Sequence, residues 1–234
     1  MSNSANSLSI FTNILTSPQQ AYRDIQQSYS ILFPLGLILI LNTAAIILLY
    51  SNIDYQWFIE QLVEAEAGDL SKAEQDAMRQ GMSMMSPGVM GAISAVTVAV
   101  IVFVVFALYS LYLVIVSSIT NDGYQFKQWL SLVSWSSIPA IFGALASIIF
   151  ILMSENGQIS PASVNPLSLN ELIFGLDGMK GAGKILASTD ISIFWTIALL
   201  TIGYAQWTKK SFIKSFLIVI LPYAAYYGIS LSLL

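Results

Sequence analysis

The sequence predicts an all-α fold: a polytopic membrane protein built as a bundle of five transmembrane helices with an N-terminal amphipathic helix. Of its 234 residues 56% are hydrophobic and only 9% are charged, whereas soluble domains carry about 25% charged residues. The apolar residues also form five long runs. A helix needs ~20 such residues to cross a bilayer, where backbone groups must be satisfied internally. The predicted spans are 31–50, 89–119, 130–153, 191–207 and 212–234.

The N-terminal segment, residues 1–29, precedes the transmembrane domain of residues 30–234. A helix is predicted to begin at Pro18, which suits a first helical position, with Ser17 and Gln20 forming a capping box. Apolar side chains recur at roughly helical spacing at Phe11, Ile14, Leu15, Tyr22 and Ile25. Two interpretations stay open: this face inserts into the cytoplasmic membrane surface, or it packs beneath the bundle.

Small residues share one face of each of two spans. They are Gly91, Ala95 and Ala99 in the second span and Ser136, Ala140, Gly143 and Ser147 in the third. Small residues let membrane helices approach closely, so these two spans are expected to contact each other. Pro139 removes a backbone donor and is expected to kink the third span, leaving the carbonyl near Trp135 free. The kink is interpreted as packing geometry, with a hinge as the alternative.

Polar residues within the spans are the candidates for a function inside the membrane. Asn42 lies near the middle of the first span and favours an interhelical hydrogen bond over a ligand contact. Asp190 is placed to cap the fourth span. The remaining candidates are Tyr109 in the second span and a stripe at helical spacing in the fifth, Tyr223, Tyr226, Tyr227 and Ser230. These tyrosines are interpreted as interface anchors, with a cavity lining as the alternative.

The two longer hydrophilic segments, 52–88 and 154–189, suggest no metal or nucleotide site. Glu60 and Glu64 lie one helical turn apart beside Glu66 and Asp69, but the spacing matches no calcium loop. Residues 178–184 match the glycine and lysine positions of a phosphate loop. Ile185 stands where Ser or Thr must hold Mg²⁺, and no strand precedes the segment. We therefore predict no metal and no cofactor.

Composition excludes further classes. The chain has no Cys and no His, which removes thiolate chemistry, imidazole bases and most transition-metal sites. A net charge of −4 argues against nucleic acid as a partner. No residue pair forms a credible catalytic centre, so the chain is predicted not to be an enzyme.

Charge asymmetry predicts the orientation. A short link at 208–211 forces the last two spans antiparallel, and Lys209, Lys210 and Lys214 place that link in the cytoplasm. Five spans then put the N-terminus in the cytoplasm and the C-terminus outside. With this orientation the inner segments hold five basic and two acidic residues, and the outer segments four basic and eleven acidic.

Three short stretches resemble prokaryotic Yip1-domain proteins: 14–18, 136–139, and 190–195 with Gly203. The resemblance implies five helices in the same orientation and suggests a bacterial inner membrane. Eukaryotic relatives act in vesicle traffic and contact small GTPases through a long N-terminal region. Because the N-terminal segment here is short and lacks a D-L-Y-G-P-type motif, GTPase binding is not carried over.

Three function classes follow. The chain is predicted to be a non-enzymatic protein that organises its membrane or partner proteins through helix packing and surface insertion. Its partners are then lipids, other membrane proteins or a second copy. A small transporter, channel or lipid-handling protein that uses the intramembrane polar residues is the alternative, and an enzyme is the third class. An open polar cavity reaching Asn42 would favour the alternative, and a tightly packed bundle the first class.

Overall fold

The computed structural model describes residues 6–233, in which every regular element is a helix. Residues 1–5 of the predicted N-terminal segment, and Leu234 at the end of the predicted fifth span, lie outside the described residues. The helices are α1 (Ser7–Thr16), α2 (Pro18–Ser28), α3 (Leu32–Asn52), α4 (Tyr55–Ala67), α5 (Lys72–Ser83), α6 (Pro87–Thr120), α7 (Phe126–Ser136), α8 (Ala140–Met153), α9 (Gly181–Ala187), α10 (Ser192–Thr208) and α11 (Phe212–Ser232). A single π-helical turn covers Asn170–Phe174.

Three helices within 6–233 are long and apolar enough to cross a membrane, namely α3, α6 and α11. A fourth span is obtained when α7 and α8 are taken as one broken helix, bent by 44°. Helix α10 has 17 residues and no charged side chain. It is therefore slightly shorter than the roughly 20 residues that a perpendicular span needs.

The break between α7 and α8 confirms the kink predicted at Pro139. The expected free carbonyl is not found, however. The amide of Ile138 donates to the Trp135 carbonyl at 3.3 Å, and the amide of Ala140 donates to the Ser137 carbonyl at 3.0 Å. The chain tightens locally into shorter hydrogen-bonded turns, which satisfy the carbonyls that a proline would otherwise leave unpaired.

The chain divides into two compact units. The first comprises residues 6–39, 100–141 and 192–233. In it α1 and α2 pack against α7, α2 and α7 pack against α10, and α10 pairs with α11. The turn between α10 and α11 is short, as the sequence predicted, with Lys209 in the left-handed conformation at φ 55°. The largest fully buried side chains of this unit include Tyr22, Trp129, Trp135 and Tyr204.

The second unit comprises residues 40–99 and 142–191. Its α4 and α5 form a hairpin around Ile59, Val63 and Ala67, against which two methionines pack, Met78 and Met82. The predicted capping box of α5 is confirmed, because Ser71 and Glu74 exchange side-chain and backbone hydrogen bonds. Ion pairs join Arg79 to Glu60 at 2.9 Å and Lys184 to Glu66 at 2.6 Å.

The two glycines of the small-residue faces do not meet each other's helices. A Cβ on Gly91 would lie 3.1 Å from the Cβ of Tyr50 on α3, and Ser94 donates to the Tyr50 hydroxyl at 3.2 Å. A Cβ on Gly143 would collide with the Asp190 carboxylate. At these two glycines the close neighbours are therefore Tyr50 and Asp190.

Candidate functional site

Within the first unit, Tyr22 anchors helix α2 to its neighbouring helices. Its hydroxyl lies 2.7 Å from the Ser136 hydroxyl, and its side chain is fully buried. A Cβ on Gly203 would lie 2.7 Å from the Tyr22 ring, so only glycine leaves room for it. Burial raises the pKa of Tyr22 well above its usual range, and the hydrogen bond with Ser136 partly offsets the rise. Tyr22 is therefore a neutral anchor at physiological pH.

Two backbone carbonyls, that of Tyr22 in α2 and that of Ser30 just after α2, accept further hydrogen bonds. Trp207 Nε1 donates to the Tyr22 carbonyl at 3.1 Å. Ser131 Oγ and Trp135 Nε1 both donate to the Ser30 carbonyl at 2.9 Å. These bonds tie α2 and the residue after its C-terminal end to side chains of α7 and α10. The N-terminal segment is thus anchored at Tyr22 and at its junction with the membrane domain, Ser30.

The five predicted membrane-surface residues do not form one exposed face. Ile14, Tyr22 and Ile25 are fully buried in the protein, and Phe11 and Leu15 are half-buried. The burial favours the interpretation of a helix packed beneath the bundle. The capping box predicted for α2 is absent: Ser17 is the N-cap residue but makes no side-chain cap bond. Gln20 instead bonds Arg23 and Asp24.

An ion pair joins the loop after α6 to the turn between α10 and α11. Lys210 Nζ contacts Asp122, which also accepts a hydrogen bond from Thr120 and lies 3.5 Å from the Tyr204 hydroxyl. The side chains are only 20% and 8% exposed. Lys210 also lies 5.6 Å above the Tyr204 ring. Aromatic rings pack around this end of the unit, with Tyr124 and Trp207 stacked at 5.4 Å.

Two tyrosines of α6, the predicted candidate Tyr109 and Tyr112, contact α11 one turn before its proline. Pro222 lies inside α11, and because it has no N–H it leaves the Ile218 carbonyl without a helical partner. Tyr112 on α6 donates to that carbonyl at 2.8 Å, and Tyr109 donates to the Val219 carbonyl at 2.6 Å. Neither hydroxyl is therefore free to bind a solute. The Tyr112 hydroxyl thus replaces the backbone donor that Pro222 lacks.

Beside this contact lies an apolar cavity of about 660 Å³ in the first unit. Its wall contains Pro222, aliphatic residues and five tyrosines. Four of the tyrosines are candidates from the sequence, namely Tyr109, Tyr223, Tyr226 and Tyr227, and the fifth is Tyr112. Asn42 and Ser230 are not among its lining residues. The cavity interpretation of the stripe thus has a geometric basis, but the walls are mainly apolar.

Among the remaining candidates, Asn42, Ala95 and Asp190 lie in the second unit. Asn42 and Ala95 are half-buried on α3 and α6. Asp190 lies two residues before α10 and accepts a hydrogen bond from Asn165 Nδ2 at 3.0 Å. In residues 6–233 no group of three or more His, Cys, Asp or Glu side chains is placed to hold a metal ion.

Sequence reasoning missed the anchoring role of Tyr22, the Ser30 carbonyl and Trp207. Tyr22 and Ser136 are 114 positions apart, and neither periodicity nor composition indicates a contact at that separation. One signal was available: Ser136 and Gly203 both belong to stretches that carry the family resemblance, and both touch Tyr22.

The family model of the Yip1 domain matches residues 12–234, nearly the whole chain. No curated protein and no solved structure matches it. The matched range includes α2, the residues that hold it, and all the helices with the length and composition of membrane spans.

Proposed function

We propose that this chain, which belongs to the Yip1-domain family, is a non-enzymatic integral membrane protein. It organises its membrane through helix packing. One observation carries the proposal. The hydroxyls of Tyr109 and Tyr112, the tyrosines of α6, donate hydrogen bonds to carbonyls of α11. They therefore hold two helices together and do not line a polar path. The partners are lipids and other membrane proteins, a second copy included; binding of small GTPases is not proposed.

The proposed topology has five spans in one domain, residues 30–234, after a cytoplasmic segment of residues 1–29. Helix α10 is counted as the fourth span because its 17 residues carry no charge and it pairs with α11. Contact of Lys210 with Asp122 supports a common side for the loop at 121–125 and the turn at 209–211. Contact of Lys184 with Glu66 supports a common side for the two longer hydrophilic segments. The charge asymmetry assigns the side with the loop at 121–125 and the turn at 209–211 to the cytoplasm, and the C-terminus to the exterior. The membrane is proposed to be a bacterial inner membrane.

A lipid-handling role is the second candidate. The cavity of about 660 Å³ between α6 and α11 favours it, because an apolar wall suits an acyl chain and not a hydrated solute. The same wall argues against a channel or a carrier of polar substrates.

Reconstitution tests the organising role. The chain has no cysteine, so a single Lys72→Cys variant, exposed on α5, can carry a donor or an acceptor dye. We expect energy transfer between copies above the level of random proximity at low protein-to-lipid ratios, and no flux of ions or small dyes beyond that of protein-free vesicles. Saturable solute flux would contradict the proposal, and transfer at the random level would exclude a second copy as the partner.

A further inference from the structure

We propose that a cleft between α2 and the α10–α11 turn binds the headgroup of an anionic phospholipid. The cleft lies entirely in the first unit, on the side assigned above to the cytoplasm. This inference goes beyond the organising role, since it assigns a ligand class to a site that the role does not require.

The cleft consists of two adjoining cavities of about 590 and 430 Å³ that share Gln19, Arg23 and Ile202. Its rim is polar: Gln19 and Arg23 come from α2, and Gln206 comes from α10. Gln206 Nε2 donates to the Gln19 carbonyl at 2.9 Å, which joins the two helices at the cleft. Amide and guanidinium groups of this kind can donate to the oxygens of a phosphate.

The charge of Arg23 is positioned but not neutralised. Gln20 Oε1 accepts from Arg23 Nε at 3.2 Å and from Nη2 at 2.7 Å, and Gln20 is a neutral amide. The adjacent Asp24 accepts from Gln20 Nε2 at 2.8 Å and lines neither cavity. No ion pair of Arg23 occurs in the part of the chain that the structure describes. The guanidinium is therefore oriented by its neighbours and left available to an anion.

Two more cations lie close to the cleft in the sequence. Lys209 and Lys214 are both exposed, and each is within three residues of Phe212, which lines the larger cavity. Neither forms an ion pair with any residue of 6–233. A basic site beside the cytoplasmic ends of membrane helices is complementary to anionic lipid headgroups.

The floor of the cleft distinguishes a lipid from a free phosphate ion. Ile202 and Ala205 of α10 and Phe212 of α11 line it, and Phe212 is 58% exposed. All three belong to helices of the proposed membrane domain, so the apolar floor continues into the hydrocarbon region. A phospholipid can place its phosphate at Arg23 and its glycerol and first methylenes on this floor, whereas inorganic phosphate would use the rim alone.

Thermal stability of the full chain in a neutral detergent tests the site. Added phosphatidylglycerol should raise Tm, while phosphatidylcholine and inorganic phosphate at the same concentration should not. Arg23→Gln should raise the half-saturating concentration of phosphatidylglycerol about fivefold, the equivalent of ~1 kcal/mol per basic residue. Lys127→Gln is the matched control, since Lys127 is an exposed cation on α7 that lines neither cavity, and it should bind like the wild type.

A second variant separates the cleft from charge alone. Ala205→Phe fills the floor and leaves every charge in place, and it should also weaken binding of phosphatidylglycerol. The proposal is overturned if phosphatidylcholine stabilises the chain equally, if inorganic phosphate reproduces the shift, or if Arg23→Gln and Lys127→Gln bind phosphatidylglycerol alike. Should Ala205→Phe fail to fold, the comparison of Arg23→Gln with Lys127→Gln still decides the question.

Discussion

The Tyr112 hydroxyl donates to the Ile218 carbonyl at 2.8 Å, and this carbonyl is the one that Pro222 deprives of its helical partner. Tyr109, three residues earlier and on the same face of α6, donates to the next carbonyl, that of Val219, at 2.6 Å. In a hydrocarbon environment an unsatisfied carbonyl is costly. The Tyr112 hydroxyl therefore supplies the donor that Pro222 lacks, and Tyr109 adds a second hydrogen bond to the same turn of α11.

Tyr112→Phe should lower the Tm of the purified protein in detergent. The change removes the donor to the Ile218 carbonyl and keeps the ring, so we expect a loss of about 1 kcal/mol of unfolding free energy. Tyr226→Phe is the control, because Tyr226 is 56% exposed, and it should change Tm little. Equal losses in the two variants would contradict the pairing of Tyr112 with Ile218.

A double-mutant cycle isolates the role of the proline. Pro222→Ala supplies an N–H that can bond the Ile218 carbonyl within the helix. In that background Tyr112→Phe should cost less than it does in the wild type, and the difference measures the coupling. A cost independent of residue 222 would mean that the hydroxyl stabilises the protein by another route.

Gly203→Ala should destabilise the packing of α2 against α10. The added Cβ would lie 2.6 Å from Leu132 Cδ1 and 2.7 Å from the Tyr22 ring, and overpacking of this kind costs typically 1–3 kcal/mol. Thermal unfolding should detect the loss. Gly228→Ala is the matched control, because a Cβ there has nothing within 4 Å. If both alanines are tolerated equally, Tyr22 is not held against α10 as described.

Local and periodic features could be predicted from the sequence. The helical class, the kink at Pro139, the short turn before α11 and the capping box of Ser71 with Glu74 each depend on residues within a few positions of one another. The partners of Gly91 and Gly143 could not be predicted. A small-residue face indicates only that another segment can pack closely there. It does not identify Tyr50 or Asp190 as the neighbour.

The role of the N-terminal segment was underdetermined for a related reason. An amphipathic helix has the same pattern whether its apolar face meets lipid or protein. The contacts of Tyr22 with Ser136 and Gly203, far along the chain, favour protein over lipid. The pairing of Tyr112 with Ile218 was equally hidden, although Pro222 signals that some donor must reach the carbonyl four residues before it.

Asp122→Asn should destabilise the protein more than Glu66→Gln. Asp122 is 8% exposed and its partner Lys210 is 20% exposed, so the substitution leaves a partly buried ammonium without its counter-ion. Removing one member of a fully buried pair costs about 3–5 kcal/mol, and we expect about 2 kcal/mol at this more accessible site. The pair of Glu66 with Lys184 is 49% and 61% exposed, and its loss should cost less than about 1 kcal/mol. Chemical denaturation measures both, and equal losses would contradict the ranking.

Cysteine labelling in intact cells tests the orientation. Lys72→Cys and Lys209→Cys exchange two exposed lysines, one on α5 and one in the α10–α11 turn. A membrane-impermeant maleimide applied outside should label position 72 alone, and both positions after the membrane is opened. External labelling at 209 and not at 72 would reverse the topology.

Gly143→Leu should lower Tm sharply, for a reason that differs from the expectation based on small-residue faces. A Cβ at this position collides with the Asp190 carboxylate and lies 3.6 Å from Asn165 Nδ2, and those two side chains are hydrogen-bonded to each other at 3.0 Å. A larger residue must displace a carboxylate and its donor together, so the loss should reach or exceed the ~1–3 kcal/mol typical of overpacking. Gly228→Leu, at an exposed position of α11 with nothing within 4 Å of its Cβ, is the control and should change Tm little.

The smaller substitution Gly143→Ala allows a coupling test of the same contact. Asp190→Ala removes the carboxylate, and in that background Gly143→Ala should cost less than it does alone. If Gly143→Leu is silent, residue 143 faces lipid and the contact with Asp190 is absent. If the two alanine substitutions add without coupling, Gly143 is required by some neighbour other than Asp190.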